Sequence, residues 1–239
     1  MSRRIYLEAS LLPGATVRLD PDHSHYLTRV MRLKAGDALR CFDGSGREHA
    51  ARLAEPNPRS CSIEIAEELR NAAPATVRLH LAQAWLKGQA MDLVIQKATE
   101  LGVTDIWPIE ALRSNVRIDA GRTAGRLMHW RGIAKSATEQ SERLFLPRVH
   151  EPRRLEALLT ERPCQRLILL DPGAAALPGA LPFDSLVLMV GPEGGWTEHE
   201  RELAQAAGAD RYGLGDLVLR AETAPIAALA AVRQSWGWR

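Results

Sequence analysis

Up to about residue 70 the apolar positions alternate with polar ones in short runs: ATVRLD, DALRCFDGSGREHAARL and CSIEIAEEL. A period of two sends successive side chains to opposite faces, so each run predicts a strand. Asp43-Gly44-Ser45-Gly46 separates two such runs and predicts a hairpin turn. HSHYLTRVMRL breaks the alternation and predicts a short helix with Leu27, Val30 and Met31 on one face. Many short strands around a single helix predict a small β-barrel.

Beyond Arg70–Thr76, RNAAPAT, which reads as a linker, the rhythm changes. VRLHLAQAW alternates as a strand. Met91, Val94, Ile95, Ala98 and Leu101 then follow helical spacing, and Gly102 supplies the stop. VTDIWPI predicts a strand, and Arg126 to Gln140 a helix with Leu127, Trp130, Ala134 and Ala137 inward. QRLILLD and DSLVLMVG are apolar throughout, the mark of parallel strands covered on both faces. Thr197 and Glu200 make a T-x-x-E capping box for a helix ending at Gly208, DRYGLG predicts a short strand and turn, and Thr223 to about Ser235 a final apolar helix. The pattern therefore divides the chain into a β-barrel, 1–72, and an α/β domain, 73–239.

The chain's 239 residues are enough for two small domains or one large one, with 46% apolar and 25% charged residues. This is the ordinary soluble class. A net charge of +2 gives no global attraction to nucleic acid, so any such attraction must come from local clusters. The N-terminus MSRRIYLEAS lacks the apolar core of a secretory signal, and the stretch 224–232 is too short to span a bilayer. Cys41, Cys61 and Cys164 are scattered and odd in number, have neither C-x-x-C nor zinc spacing, and read as small buried hydrophobes in a reducing, cytoplasmic setting.

Two stretches carry candidate chemistry. Gly191-Pro192-Glu193-Gly194-Gly195 lies between an apolar strand and a capped helix. No Lys-Ser/Thr follows it, so it is not a P-loop. Its glycines allow close backbone approach, while Glu193, Glu198 and Glu200 would repel a triphosphate and suit a neutral or cationic ligand. The alternative is a plain tight turn before a helix. The second stretch, LGDLVLRAETAP, sets Arg220 and Glu222 in apolar surroundings, where they either pair with each other or serve a site. Eight basic residues between Arg113 and Arg148 (Arg113, Arg117, Arg122, Arg126, Arg131, Lys135, Arg143, Arg148) face only Asp119, Glu139 and Glu142. With Arg3, Arg4, Arg29, Arg32 and Lys34 they form two basic clusters suited to phosphate contact, or two solvated faces. His23 and His25 lack the companions a metal site needs, and no metal is expected. No G-x-S-x-G elbow appears.

KGQAMDLVIQKATELGV, EQSER, GPEGGWTEHE and LGDLVLRAETAPIAAL together resemble the bacterial 16S ribosomal RNA uridine-N3 methyltransferases, members of the SPOUT superfamily. HYLTRVMRLKAGDALRCFDGSG resembles the same family's PUA-like barrel. The resemblance implies a SPOUT-type α/β domain with a C-terminal trefoil knot, an exception to unknotted topology. It implies a homodimer that binds S-adenosylmethionine and methylates N3 of a specific uridine in 16S ribosomal RNA, in the assembled small subunit. Leu170, Val190, Gly191, Gly194 and Gly195 match one wall of the family's cofactor pocket, and Leu214, Gly215, Val218, Leu219, Arg220 and Ala224 the other. Ala221 stands where the family commonly has threonine, and Asp216-Leu217 where it has Pro-Arg. Arg220 is assigned to stabilise charge on the uracil oxygens. Glu222 is left three roles: base, orienter of Arg220, or cap of the last helix. Arg3, Arg4, Arg29, Arg32, Gln96, Lys97, Glu100, Arg113 and Gln140 are expected to face RNA. Ribose 2′-O methylation and a binder without catalysis stay open as rivals.

Overall fold

The computed structural model describes residues 3–115 and 120–238 and divides into two compact units. The first comprises Met1–Pro74 with Thr138–Phe145, the second Ala75–Ala137 with Leu146–Arg239. Arg117 and Asp119 of the expected basic stretch lie outside the described residues, as does the side chain of Arg122.

In the first unit, β1 (Arg4–Tyr6), β2 (Thr16–Arg18), β3 (Ala38–Phe42), β4 (Arg47–Glu55) and β5 (Ser62–Asn71) form one sheet in the order β1-β3-β4-β5-β2. Only the β1–β3 pair is parallel. The hairpin expected at 43–46 joins β3 to β4. Leu27, Leu39, Cys41, Leu53, Ile63 and Ile65 are among the side chains of the core. The helix after β2 differs from its expected form. α1 (Pro21–His25) starts at Asp20, whose carboxylate caps His23 N at 2.9 Å, and then widens into a π-helical turn, Tyr26–Val30. The wider turn rotates the following residues off the α-helical register. Leu27 is buried, but Val30 is exposed rather than packed beside it.

Arg4 shows what holds this unit together. Its side chain is fully buried, with Nε on Glu48 Oε1 at 2.5 Å. Its Nη1 donates to Thr138 O at 3.0 Å and its Nη2 to Arg143 O at 2.6 Å, so the 138–145 segment hangs on this guanidinium. Burial pulls the Arg4 pKa below the usual arginine range, against the opposing pull of Glu48. Arg4 is therefore a strut of the barrel. The expectation that it faces RNA is corrected, because the guanidinium is buried and its donors are committed to Glu48 and to the carbonyls of Thr138 and Arg143.

In the second unit, β6 (Arg78–Ala84), α2 (Gln89–Glu100), β7 (Asp105–Glu110), α3 (Ala120–Gln140, its last residues in the first unit), β8 (Arg148–Val149), β9 (Arg153–Arg154), α4 (Leu155–Glu161), β10 (Arg166–Leu170), β11 (Ser185–Val190), α5 (Glu198–Ala206), β12 (Asp210–Tyr212) and α6 (Thr223–Ser235) follow in order. Their strands make one parallel sheet, β12-β10-β11-β6-β7-β8, with β9 also paired to β7. Alternate residues of the apolar strands enter two cores. Ile168, Leu170, Leu186, Leu188 and Val190 pack with α2, α3 and α6. Leu167, Leu169, Val187 and Met189 pack with α4 and α5. Burial on both faces is why these strands read as unbroken apolar runs. Leu127, Trp130, Ala134 and Ala137 are buried as expected. Among the described residues no helix is long and apolar enough to cross a membrane.

Candidate functional site

Ligands of parallel α/β sheets sit beyond the C-terminal ends of the strands, where the order of strands reverses. In the second unit, β10, β11 and β12 end side by side at Leu170, Val190 and Tyr212. A cleft of about 710 Å³ opens there. Leu170, Val190, Gly191, Gly194 and Gly195 line one side, and Leu214, Gly215, Val218, Leu219, Arg220 and Ala224 also line it. Leu170 and Ala224, 54 positions apart, thus share one cavity, and Glu222 lines it too.

The glycines of the first wall differ in purpose. A Cβ on Gly191 would stand 3.2 Å from the ring of Trp196, which is buried and donates from Nε1 to Leu170 O at 3.2 Å. A Cβ on Gly194 would stand 3.1 Å from Arg113 Cβ. Only Gly195 is demanded by backbone shape, with φ +65 and open space where a Cβ would be. Its N–H donates to Pro192 O at 2.9 Å and closes the turn. All three glycines line the cleft. Gly191 and Gly194 make room for the protein's own side chains.

Arg113 and Glu200 fix this wall. Arg113 Nη1 donates to Gly194 O at 3.1 Å and Trp196 O at 3.4 Å. Glu200 accepts from Leu112 N at 2.8 Å and completes the capping box with Thr197. The crowd of three carboxylates expected at the mouth does not form. Glu200 is buried in its box and Glu198 pairs with Arg201 at 3.1 Å, which leaves Glu193 on the cleft.

Asp171, which sequence reasoning missed, ties α5 and β12 to the end of β10. It is 3% exposed and accepts from Arg201 Nε at 2.9 Å and Arg211 Nη2 at 2.5 Å. Its hydrogen bond and charge raise the Arg201 pKa above the usual arginine range. Gly213 passes so close that a Cβ would sit 2.8 Å from Ala174 O, and its own N–H donates to Ala175 O at 2.7 Å. Trp196, Asp171 and Tyr212 were legible only as residues just beyond apolar strands, the place where a parallel sheet keeps its ligand.

Arg220 lines the cleft with its side chain 86% exposed, 3.9 Å from Glu222. Glu222 occupies the N-cap position of α6 but makes no capping hydrogen bond, which removes that role from the three expected. Leu217 and Val218, on the same lip, are 80% and 82% exposed.

The residues expected to face RNA are scattered in environment. In the first unit Arg29, Arg32 and Gln140 are exposed, and Arg3 stands 3.7 Å from Asp37. In the second, Gln96 is exposed, Lys97 is bound to Glu100 at 2.8 Å, and Arg113 holds the glycine turn. Of the basic stretch, Arg126 lies over the Trp85 ring and Arg131 donates to Val149 O. His23 pairs with Asp20, and among the described residues no cluster of three or more metal-ligating side chains appears.

Two family models match the chain: an RNA methyltransferase domain over residues 73–233 and an RNA methyltransferase PUA domain over 19–66. The ribosomal RNA small subunit methyltransferase E of Bacillus subtilis is 31% identical, over 91% of this chain and 89% of its own length. The protein of the same name from Synechocystis is 33% identical, over 97% of this chain and 77% of its own. The crystal structure of a ribosomal RNA small subunit methyltransferase E from Neisseria gonorrhoeae, bound to S-adenosyl methionine, is similar with a TM-score of 0.91. It is 36% identical, covering 99% of this chain and 98% of that one.

Proposed function

The chain belongs to the ribosomal RNA small subunit methyltransferase E family, and from that premise we propose that it methylates N3 of a uridine in small-subunit RNA, using S-adenosylmethionine. The observation that carries the reading is one cleft at the strand ends that gathers the glycine turn, Arg220 and Glu222. Its volume lies within the roughly 300–1,000 Å³ of small-molecule sites. Leu170, Val190, Leu214 and Val218 offer aliphatic walls for a purine, and Gly195 and Gly215 present backbone with no side chain in the way. The lining suits a cofactor that is flat at one end and cationic at the other.

When bound, S-adenosylmethionine supplies a methyl group on a positively charged sulfur. The protein must place an unstacked uridine in line with it, since N3 of a paired base is out of reach. The N3–H bond breaks, its proton leaves to Glu222 or solvent, and the freed electron pair makes the new N–C bond. The negative charge that develops spreads onto the two flanking carbonyl oxygens. The Arg220 guanidinium, exposed on the cleft wall, donates hydrogen bonds to one of them. Glu222, 3.9 Å away, steadies Arg220 and limits where it points.

The same reading includes the trefoil knot, supported by the tight passage of Gly213 against the 174–175 segment. It also includes a homodimer, supported by the uncovered aliphatic lip of Leu217 and Val218, and a cytoplasmic site of action, where ribosomal subunits are found. Purified small subunits incubated with the protein and labelled cofactor, then digested to nucleosides, test the reaction. Labelled 3-methyluridine is expected. A 2′-O-methylated nucleoside in its place would overturn the assignment.

A further inference from the structure

We propose that Glu193 makes this cleft select a ligand with a positive centre, and so sets the sulfonium cofactor apart from the neutral thioether left after transfer. The inference rests on the methyltransferase reading above and deepens it.

Three carboxylates line the cleft: Asp171, Glu193 and Glu222. Asp171 is compensated twice, by Arg201 and by Arg211. Glu222 faces Arg220. Among the described residues Glu193 is joined to no cation. The basic side chain closest along its wall, Arg113, spends its guanidinium on Gly194 O and Trp196 O. Gly195 N closes the turn on Pro192 O and Trp196 is packed beneath Gly191, which holds the backbone that carries Glu193. The turn therefore presents one uncompensated negative charge to the cleft. The first wall was expected to offer three such charges, but the structure neutralises or buries the others.

The consequence follows from charge balance. When the methyl carbon moves to N3, the sulfur–carbon bond breaks and its electron pair stays on sulfur. The ligand loses its positive charge, and Glu193 loses its attraction to it. A carboxylate of this kind strengthens binding of the cation and does nothing for the thioether, so the difference in affinity is its contribution. It also stabilises the bound cation more than the transition state, where the charge is already leaving sulfur. Its removal should raise KM for the cofactor without lowering kcat.

Calorimetric titration of the intact protein distinguishes the possibilities. The ligands are S-adenosylmethionine, S-adenosylhomocysteine and an analogue with an ammonium group in place of the sulfonium. Glu193→Gln should weaken both cationic ligands about tenfold, the scale of a partly solvated ion pair, and leave the thioether within about twofold. Glu198→Gln, whose carboxylate pairs with Arg201, should change none of the three. Equal loss for cation and thioether in Glu193→Gln, or an unchanged preference, would overturn the role of Glu193. If the folded wild-type protein binds none of the three, the cofactor reading itself fails, and with it this inference.

Discussion

Replacing Arg4 by methionine removes a charge that Glu48 and the 138–145 segment both depend on. Glu48 has no side-chain exposure, and its remaining cations, Arg70 at 3.5 Å and Arg40 at 3.6 Å, are at looser distances than Arg4 at 2.5 Å. The carbonyls of Thr138 and Arg143 lose a donor at the same time. Breaking a buried pair by removing one partner costs about 3–5 kcal/mol. A urea dependence of about 1–2 kcal/mol per molar converts that into a midpoint lower by about 1.5–5 M. The cysteines allow each unit to be followed separately, since Cys41 and Cys61 are buried in the first unit and Cys164 in the second. Burial pushes the Cys41 thiol up to about 12, so it reacts only when its unit opens. Pulse alkylation across a urea series, read by peptide mass, should show Cys41 and Cys61 labelled at lower urea in Arg4→Met. Arg4→Met/Glu48→Leu should recover part of the loss. A midpoint at Cys41 unchanged to within about 0.5 M would refute the strut, since the pair would then contribute less than about 1 kcal/mol.

Gly191→Ala should destabilise the second unit by about 1–3 kcal/mol, because the new methyl meets the Trp196 ring at 3.2 Å; a thermal scan followed by tryptophan fluorescence measures it, and an unshifted midpoint would mean that Trp196 yields freely. Gly195→Ala meets no atom, so its cost should be only the roughly 1–2 kcal/mol of a left-handed backbone. Trp107 Nε1 donates to His80 Nδ1 at 3.2 Å and His80 Nε2 lies 3.1 Å from Asp105, so His80 is held neutral with its proton on Nε2. Burial, the largest cause, lowers its pKa below the usual histidine value, outweighing the attraction of Asp105. The folded state thus binds fewer protons, and the stabilisation is complete above about pH 6.5 and lost as pH falls through the lowered folded value. Asp105 is pushed up by burial but pulled further down by His150 and His80, so its own loss comes in a more acid window. Urea midpoints from pH 7.5 to 5 should fall for the wild type and much less for His80→Gln; equal slopes would place the titration elsewhere.

The second unit was largely legible in the sequence because its patterns were strong. Unbroken apolar strands, the periodic face of α2 and the capping box at Thr197 each have one physical meaning, and the structure realises all three. α4 (Leu155–Glu161) escaped notice because seven residues give too little periodicity to separate a helix from a buried strand. The π-helical turn at Tyr26–Val30 was equally hidden, since nothing in composition marks a shift from four residues to five. The positions that gather around the cleft were legible as motifs, but the duties of single side chains were not. Arg4 and Arg113 look like surface cations in a linear reading. Their partners are carbonyls and a carboxylate brought near by tertiary packing, from Glu48 and Thr138 for Arg4 and from Gly194 and Trp196 for Arg113. Asp171 was overlooked because its two arginines lie 30 and 40 positions away.

In this mechanism Arg220 stabilises charge on the base during methyl transfer without holding the cofactor. Single-turnover methylation of purified small subunits by Arg220→Ala, beside calorimetry of the same variant with S-adenosylmethionine, tests it most directly. The rate of 3-methyluridine formation should fall about 10²–10³-fold, the cost of losing one charge-stabilising donor, while cofactor affinity stays within about tenfold. A single-turnover rate equal to that of the wild type, or a loss explained wholly by weaker cofactor binding, would contradict the claim.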